Sequence, residues 1–102
     1  MKDASYAPVY CALYPELAEI ARQYGYALAV HGSLQRDFDL VCIPWVEDVA
    51  PPADVVKAMT EKFTFHVVGD PTEKPHGRIA WTLSVGFGRC AVDLSFVAVG
   101  GS

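Results

Sequence analysis

With 102 residues, 52% of them hydrophobic, the chain is long enough for one domain with a buried core and too hydrophobic to be disordered. The formal net charge of −4 and the lack of any run of Lys or Arg argue against nucleic-acid binding through a basic face. No segment is long and apolar enough to span a bilayer. The N-terminal residues lack a signal-peptide pattern, and the three separated cysteines support neither a zinc ribbon nor a redox motif. We therefore expect a cytoplasmic protein.

The first half of the chain predicts a helix followed by two strands. Residues 15–24 carry apolar side chains at helical spacing, with Pro15 suited to the first turn and Gly25 to the end. The short apolar segment 26–31 predicts a buried strand, and residues 37–44 predict the next one. Because few residues separate these two strands, we expect them to form a hairpin.

The second half predicts another helix and three more strands. Residues 52–63 begin with proline and carry an apolar stripe at helical spacing, which predicts a helix. A short strand is expected at 64–68, and the composition of residues 69–77 is typical of a loop. Two strands end the domain, at about 78–86 and 90–98, with a glycine-rich turn between them.

Side-chain alternation in three strands separates an apolar face from a polar one. The apolar set is Phe38, Leu40, Cys42, Ile79, Trp81, Leu83, Val85, Val92, Leu94 and Phe96. The opposite set includes Asp37, Asp39, Arg78, Thr82, Ser84 and Asp93. We therefore predict an α+β fold, in which a small mixed or antiparallel sheet has two helices on one face and leaves the other face open.

Paired aspartates on the open face are the main candidates for chemistry. Asp37 and Asp39 are two residues apart in a strand, so both project to the same face. Two neighbouring carboxylates repel each other, and a hard divalent cation such as Mg²⁺ or Mn²⁺ relieves that repulsion. Asp93 lies in an otherwise apolar run, where an unpaired carboxylate is unfavourable. The alternative is that these aspartates cap backbone N–H groups or face water.

Residues around the aspartates suggest a phosphate site. The Gly32-Ser33 turn offers backbone N–H groups and a hydroxyl to a phosphate. His31 either touches that phosphate or is an ordinary residue at a strand end. Lys74 and His76 lie in the expected loop, which either closes over a nucleotide or is simply solvated. The two tryptophans, Trp45 and Trp81, are expected to pack in the core or at its edge.

The order of these motifs resembles that of the nucleotidyltransferase superfamily, especially its minimal domains related to DNA polymerase beta. The resemblance rests on His31-Gly32-Ser33, on Asp37-Phe38-Asp39-Leu40 and on Val92-Asp93-Leu94. It covers about residues 12–98 in the order of elements. The chain departs from the family pattern in two ways. Only three residues, 34–36, separate Gly-Ser from Asp-x-Asp, and no room is left for a C-terminal lobe.

The resemblance implies transfer of a nucleotidyl group, AMP by default, from a nucleoside triphosphate to a hydroxyl acceptor. Gly32 and Ser33 would hold the β- and γ-phosphates, with Arg36 and Arg78 as further cofactor-binding candidates. The metal-binding and catalytic residues would be Asp37, Asp39 and Asp93, holding Mg²⁺ or Mn²⁺, and Asp93 would also serve as the base.

Two other functions remain open at this point. A degenerate nucleotidyltransferase domain could act as a binding module, completed by a protein partner or a second copy, as in the antitoxin members of the superfamily. The same carboxylates could also direct water to a phosphate, which would make the protein a metal-dependent phosphohydrolase.

Overall fold

The structure is a computed structural model that describes residues 7–32, 37–86 and 90–97. Over these ranges the chain forms two helices, five strands and one 3₁₀ turn. In chain order they are α1 (Ala7–Gln23), β1 (Tyr26–His31), β2 (Asp37–Pro44), α2 (Pro52–Phe63), β3 (His66–Lys74), the 3₁₀ turn Pro75–Gly77, β4 (Arg78–Ser84) and β5 (Ala91–Phe96). The predicted bounds of β1, β2 and α2 are confirmed.

The predicted start of the first helix was wrong. Helix α1 begins at Ala7, eight residues earlier than expected, so Pro15 lies inside the helix instead of in its first turn. Proline inside a helix removes one backbone hydrogen bond. Tertiary packing outweighs this cost, because Tyr10 is buried about two turns before Leu17, on the same face, while Pro15 is exposed.

The third strand was also predicted too short. We expected a strand at 64–68 and a loop at 69–77, whereas β3 continues to Lys74. Its pairing with β4 shifts register between Val68 and Thr72, beside Gly69, whose φ is +68°. All nine residues of β3 are exposed. Glycine, proline and charge, which made the segment resemble a loop, are also what exposed edge strands use.

The five strands form one mixed sheet in the order β1-β2-β5-β4-β3. Strands β2 and β5 are parallel, and the other neighbouring pairs are antiparallel. Both helices cover the same face, since their buried residues share one core with the predicted apolar face of the sheet. That core includes Tyr10, Leu17 and Ala21 of α1, Val55 and Met59 of α2, and Leu28, Phe38, Leu40, Leu83, Val92 and Leu94 of the strands. The α+β prediction is confirmed at this level.

Tyr10 fixes α1 to the strands that carry the aspartates. Its ring stacks on Phe38 of β2, with centroids 4.8 Å apart. Its hydroxyl accepts a hydrogen bond from the backbone N–H of Ala91, the first residue of β5, at 3.2 Å. Burial raises the pKa of this phenol to about 12, so the group stays neutral. One side chain of α1 thus contacts the starts of both β2 and β5.

The two tryptophans differ from each other. Trp81 packs against the core, with its ring 5.3 Å from that of Phe96, as predicted. Trp45 does not, because 74% of its surface is exposed just after β2. Neither of the two described helices has the length and apolar character needed to cross a membrane.

Candidate functional site

A row of polar residues crosses the open face of the sheet. His31 of β1 pairs in register with Asp39 of β2, and Asp39 pairs with Asp93 of β5. Asp93 pairs in turn with Thr82 of β4. Register partners on adjacent strands share a face and lie about 5 Å apart at their Cα atoms. The two aspartates, distant in sequence, are therefore immediate neighbours.

The electrostatics of Asp39 reflect this arrangement. Partial burial raises the pKa of its carboxyl, and the charges of Asp93 and Asp37 raise it further. His31 and Lys74 act in the opposite direction. Within the part of the chain that the structure describes, the one ion pair is Arg22–Glu19 on α1, at 2.8 Å. Among the described residues, no cationic side chain thus forms an ion pair with either carboxylate, although His31 and Lys74 offset part of the repulsion.

Gly32 holds the end of β1 against the Asp39 carboxylate. Its φ of +87° is a conformation that favours glycine. A Cβ atom added at Gly32 would lie 2.5 Å from Oδ2 of Asp39, which is too close. The backbone of the turn therefore approaches the carboxylate because glycine has no side chain. Ser33 and Arg36, the other predicted phosphate ligands in this turn, lie outside the described residues.

Asp37 shares the open face but lies further away. It is exposed and pairs with Ala91, two residues from the Asp39–Asp93 pair along both strands. That spacing corresponds to about 6–7 Å. Over the described ranges, no three His, Cys, Asp or Glu side chains are grouped closely enough to hold a metal ion. The closest carboxylates among the predicted ligands are thus those of Asp39 and Asp93.

Two adjacent carboxylates still suit the kind of metal that the sequence analysis expects. Mg²⁺ in phosphate-handling sites is usually held by one or two carboxylates, with substrate phosphates and water supplying the remaining oxygens. The neighbouring pair Asp39 and Asp93 offers hard oxygen donors of that kind. Asp37 could contribute as a third donor only through water or a side-chain rearrangement.

A small cavity lies next to the aspartates on the open face. Its volume is about 110 Å³, and its lining is His31, Lys74, Arg78, Asp93 and Ser95. Ser95 is nearly buried, and its hydroxyl donates a weak hydrogen bond to the carbonyl of Leu40 at 3.4 Å. We call this cavity with its five lining residues the cationic pocket, because Lys74 and Arg78 give it positive charge.

The cationic pocket contains Lys74, a residue that the sequence analysis did not place beside the aspartates. Arg78 was expected near the aspartates, but Lys74 was assigned to a loop because β3 was predicted to end at 68. In the structure Lys74 and Arg78 are register partners on either side of the 3₁₀ turn. The sequence offered no signal for this extension, because Thr72, Glu73 and Lys74 are all polar and show no apolar alternation past Pro71.

The other predicted polar residues have lesser roles. Thr82 belongs to the row that contains Asp93 and is exposed. The hydroxyl of Ser84 accepts a hydrogen bond from the N–H of Gly86 at 3.3 Å, so it serves the turn after β4. Two larger cavities, of about 320 and 560 Å³, have mainly apolar linings and lie away from the aspartates.

No protein-family model matches the chain, and no curated protein matches it either. The function is therefore inferred from the open face of the sheet, where two neighbouring carboxylates, a close backbone turn and a pair of cationic side chains meet.

Proposed function

We propose that the protein is a metal-dependent nucleotidyltransferase, which binds a nucleoside triphosphate on the open face of its sheet. It would transfer the nucleotidyl group, AMP by default, to a hydroxyl acceptor. The observation that carries the proposal is the register pairing of Asp39 with Asp93 beside the backbone of Gly32. The carboxylates that would hold a cation then lie beside the backbone of Gly32, which would donate to a phosphate.

Each residue has a defined part in this proposal. Asp39 and Asp93 would hold Mg²⁺ or Mn²⁺, with Asp37 as an outer donor. When bound, the cation would neutralise phosphate charge and align the attacking and leaving oxygens. Gly32, together with Ser33, would donate to the phosphate oxygens. Arg36 remains a candidate ligand of the triphosphate, whereas Arg78, the other candidate from the sequence, lines the pocket that contains Lys74 and Asp93.

The chemical step moves one proton and exchanges one phosphorus–oxygen bond. Asp93 would take the proton of the acceptor hydroxyl, whose oxygen then bonds to the α-phosphorus. The bond from the α-phosphorus to the oxygen that bridges to the β-phosphate breaks, and pyrophosphate leaves. Burial and, after it, the charge of Asp93 raise the pKa of Asp39, and a bound cation would relieve the repulsion between the two carboxylates.

We also propose the cellular setting in which this would occur. A reducing cytoplasm suits the three free cysteines, two of which, Cys42 and Cys90, are buried as small apolar residues. A protein partner or a second copy of the chain could complete the substrate site, since the open face is shallow.

The first test is calorimetric titration of ATP, GTP, CTP and UTP in the presence of Mn²⁺. Wild type should bind at least one of them only when metal is present. Asp39→Ala should abolish the binding, while Asp48→Ala, in the exposed loop after β2, should leave it intact. The melting temperature should rise with ligand in the wild type and in the control, as linkage requires.

Three results would separate this proposal from its alternatives. Absence of triphosphate binding by the folded wild type would contradict the enzyme and favour a module that acts through a protein partner. Binding that survives Asp39→Ala would move the site away from the aspartates. Release of pyrophosphate without a labelled acceptor, in the presence of candidate hydroxyl compounds, would instead favour hydrolysis.

A further inference from the structure

We propose that the hydroxyl acceptor is a small anionic molecule whose charged group binds in the cationic pocket. This inference rests on the proposed nucleotidyl transfer and names the class of its second substrate. It assigns Lys74 and Arg78 to acceptor recognition, with the acceptor hydroxyl directed towards Asp93. The same pocket contains all three residues.

The hairpin of β3 and β4 explains why the two cations act together. Lys74 and Arg78 are paired across the hairpin, one on each side of the turn Pro75–Gly77. Register partners share a face, and alternation along β4 puts Arg78 on the same face as Thr82. Thr82 pairs with Asp93, so the cationic pair belongs to the face that carries the aspartates.

The charges of the pocket leave room for a negative ligand. Lys74 and Arg78 carry two positive charges, whereas Asp93 is the only carboxylate among the five lining residues. Considering the described ranges alone, neither cation has a carboxylate within ion-pair distance, in contrast to Arg22 and its partner Glu19. An anion that bound both cations would make charge-assisted hydrogen bonds, and Arg78 can offer two parallel N–H groups.

The size of the pocket restricts the ligand to a small group. Its volume of about 110 Å³ is well below the ~300 Å³ at which pockets begin to hold a whole drug-sized molecule. A single phosphate or carboxylate fits this description better than a nucleoside does. A polyanion such as a nucleic acid is disfavoured as well, because the chain as a whole is acidic.

The position of the pocket assigns this anion to the acceptor and not to the triphosphate. Its lining includes His31 at the end of β1 and Asp93 and Ser95 of β5, but neither Gly32 nor Asp39, while its two cationic side chains belong to β3 and β4. In the proposed function the triphosphate lies at Gly32, on the β1 side of the aspartate pair. An anion held by Lys74 and Arg78 comes from the β3–β4 side, so its molecule reaches Asp93 from the direction opposite to the triphosphate.

The experiment is a pair of NMR titrations on the ¹⁵N-labelled full chain. Inorganic phosphate serves as the probe of the cationic pocket. The compound α,β-methylene ATP, added with Mg²⁺, serves as the non-reacting triphosphate. Phosphate should shift the amide signals of residues 74, 76–78 and 93–95, and it should do so equally with the triphosphate analogue bound. Arg78→Gln and Lys74→Gln should each weaken phosphate binding about tenfold, the worth of one charge-assisted hydrogen bond. Neither should weaken binding of the analogue comparably.

Lys57→Gln is the matched control, since Lys57 is an exposed lysine on α2, the layer behind the sheet. It should leave phosphate binding unchanged, and the amide spectrum of every variant reports whether it is folded. Displacement of phosphate by the analogue would overturn the inference, because the pocket would then belong to the triphosphate. Absence of phosphate shifts in the wild type would overturn it too. Failure of the analogue to bind, with phosphate still bound, would overturn the proposed function and the acceptor assignment with it, leaving an anion site.

Discussion

The ionised form of Asp39, which would hold a metal ion, is also the form that lowers the stability of the fold. Burial and the neighbouring carboxylates raise the pKa of this group. The folded state therefore binds its proton more tightly than the unfolded state does. The stability gained from this proton is fully present below the unfolded pKa, about 3.9, and is lost as the pH rises through the folded pKa. At neutral pH the ionised carboxylate destabilises the protein.

Asp39→Asn should consequently raise the melting temperature at pH 7. The advantage should shrink as the pH falls and disappear below about pH 4, where the wild-type carboxyl is protonated in both states. Thermal unfolding of both proteins between pH 3 and pH 8 measures this. Asp48→Asn, in an exposed loop, should change little at any pH. A wild type that is more stable than Asp39→Asn at pH 7, without metal, would contradict the prediction.

Gly32→Ala tests the contact between the turn and the aspartate. Alanine at φ +87° costs about 1–2 kcal/mol, and its Cβ would also displace the Asp39 carboxylate. Gly86→Ala is a matched control, because Gly86 has a φ of +78° but open space where its Cβ would be. Urea unfolding should show a loss in both variants. Metal-dependent triphosphate binding should be lost only in Gly32→Ala, and its loss in both would refute a local role for Gly32.

On the scale of elements, the hydroxyl of Tyr10 joins α1 to the start of β5, the strand that carries Asp93. Tyr10→Phe would leave the N–H of Ala91 without its side-chain acceptor at 3.2 Å, in a part of the structure where Tyr10 itself is fully buried. We expect a loss of about 1–3 kcal/mol in the free energy of unfolding, measured in urea. Tyr24→Phe is the control, since the hydroxyl of Tyr24 makes no hydrogen bond to other described residues. Equal effects of both substitutions would show that the Ala91 contact contributes nothing.

Pro15 is a second feature of α1 that can be tested. Pro15→Ala restores the missing backbone donor in mid-helix, at an exposed position. The free energy of unfolding should rise by about 1–3 kcal/mol, reduced by the greater freedom of alanine in the unfolded chain. Pro52→Ala, at the first residue of α2, should bring no such gain, because that N–H has no helical partner anyway. A fall in stability for Pro15→Ala would show that the proline is favourable where it lies.

The elements differ in how far the sequence could predict them. Strands β1 and β2 and helix α2 were predictable because each has an apolar period bounded by glycine, proline or a short turn. The start of α1 and the length of β3 were not, because Pro15 and the run from Gly69 to Pro71 are local signals that tertiary packing and edge pairing override. Alternation also showed that Asp39 and Asp93 share a face. It could not show that they are neighbours, since a period of two contains no information on strand order.

Considered as a whole, the molecule has a well-packed centre and a thin edge. Strands β2 and β5 lie inside the sheet and contribute several fully buried residues, among them Leu40 and Leu94. Strand β3 lies at the edge and has no buried residue. Local opening is least costly where few apolar contacts are lost. The centre carries the aspartates, and the edge carries Lys74.

Hydrogen exchange should follow this division. Amide hydrogens of β2 and β5 should exchange slowest, near the free energy of global unfolding, and those of β3 should exchange fastest among the strands. Amide exchange of the labelled protein measured by NMR gives these rates residue by residue. Equal protection of β3 and β5 would show that the β3–β4 hairpin is held by contacts that its exposure does not reveal.

Strand β5 follows all the other strands in the sequence, yet it lies in the middle of the sheet. During synthesis on a ribosome, β1 with β2 and β3 with β4 can pair as soon as each hairpin emerges, but nothing can yet join the two hairpins. The sheet closes only when β5 inserts between β2 and β4, and this same event brings Asp93 beside Asp39. A nascent chain therefore cannot bind a metal at this pair before its fold is complete.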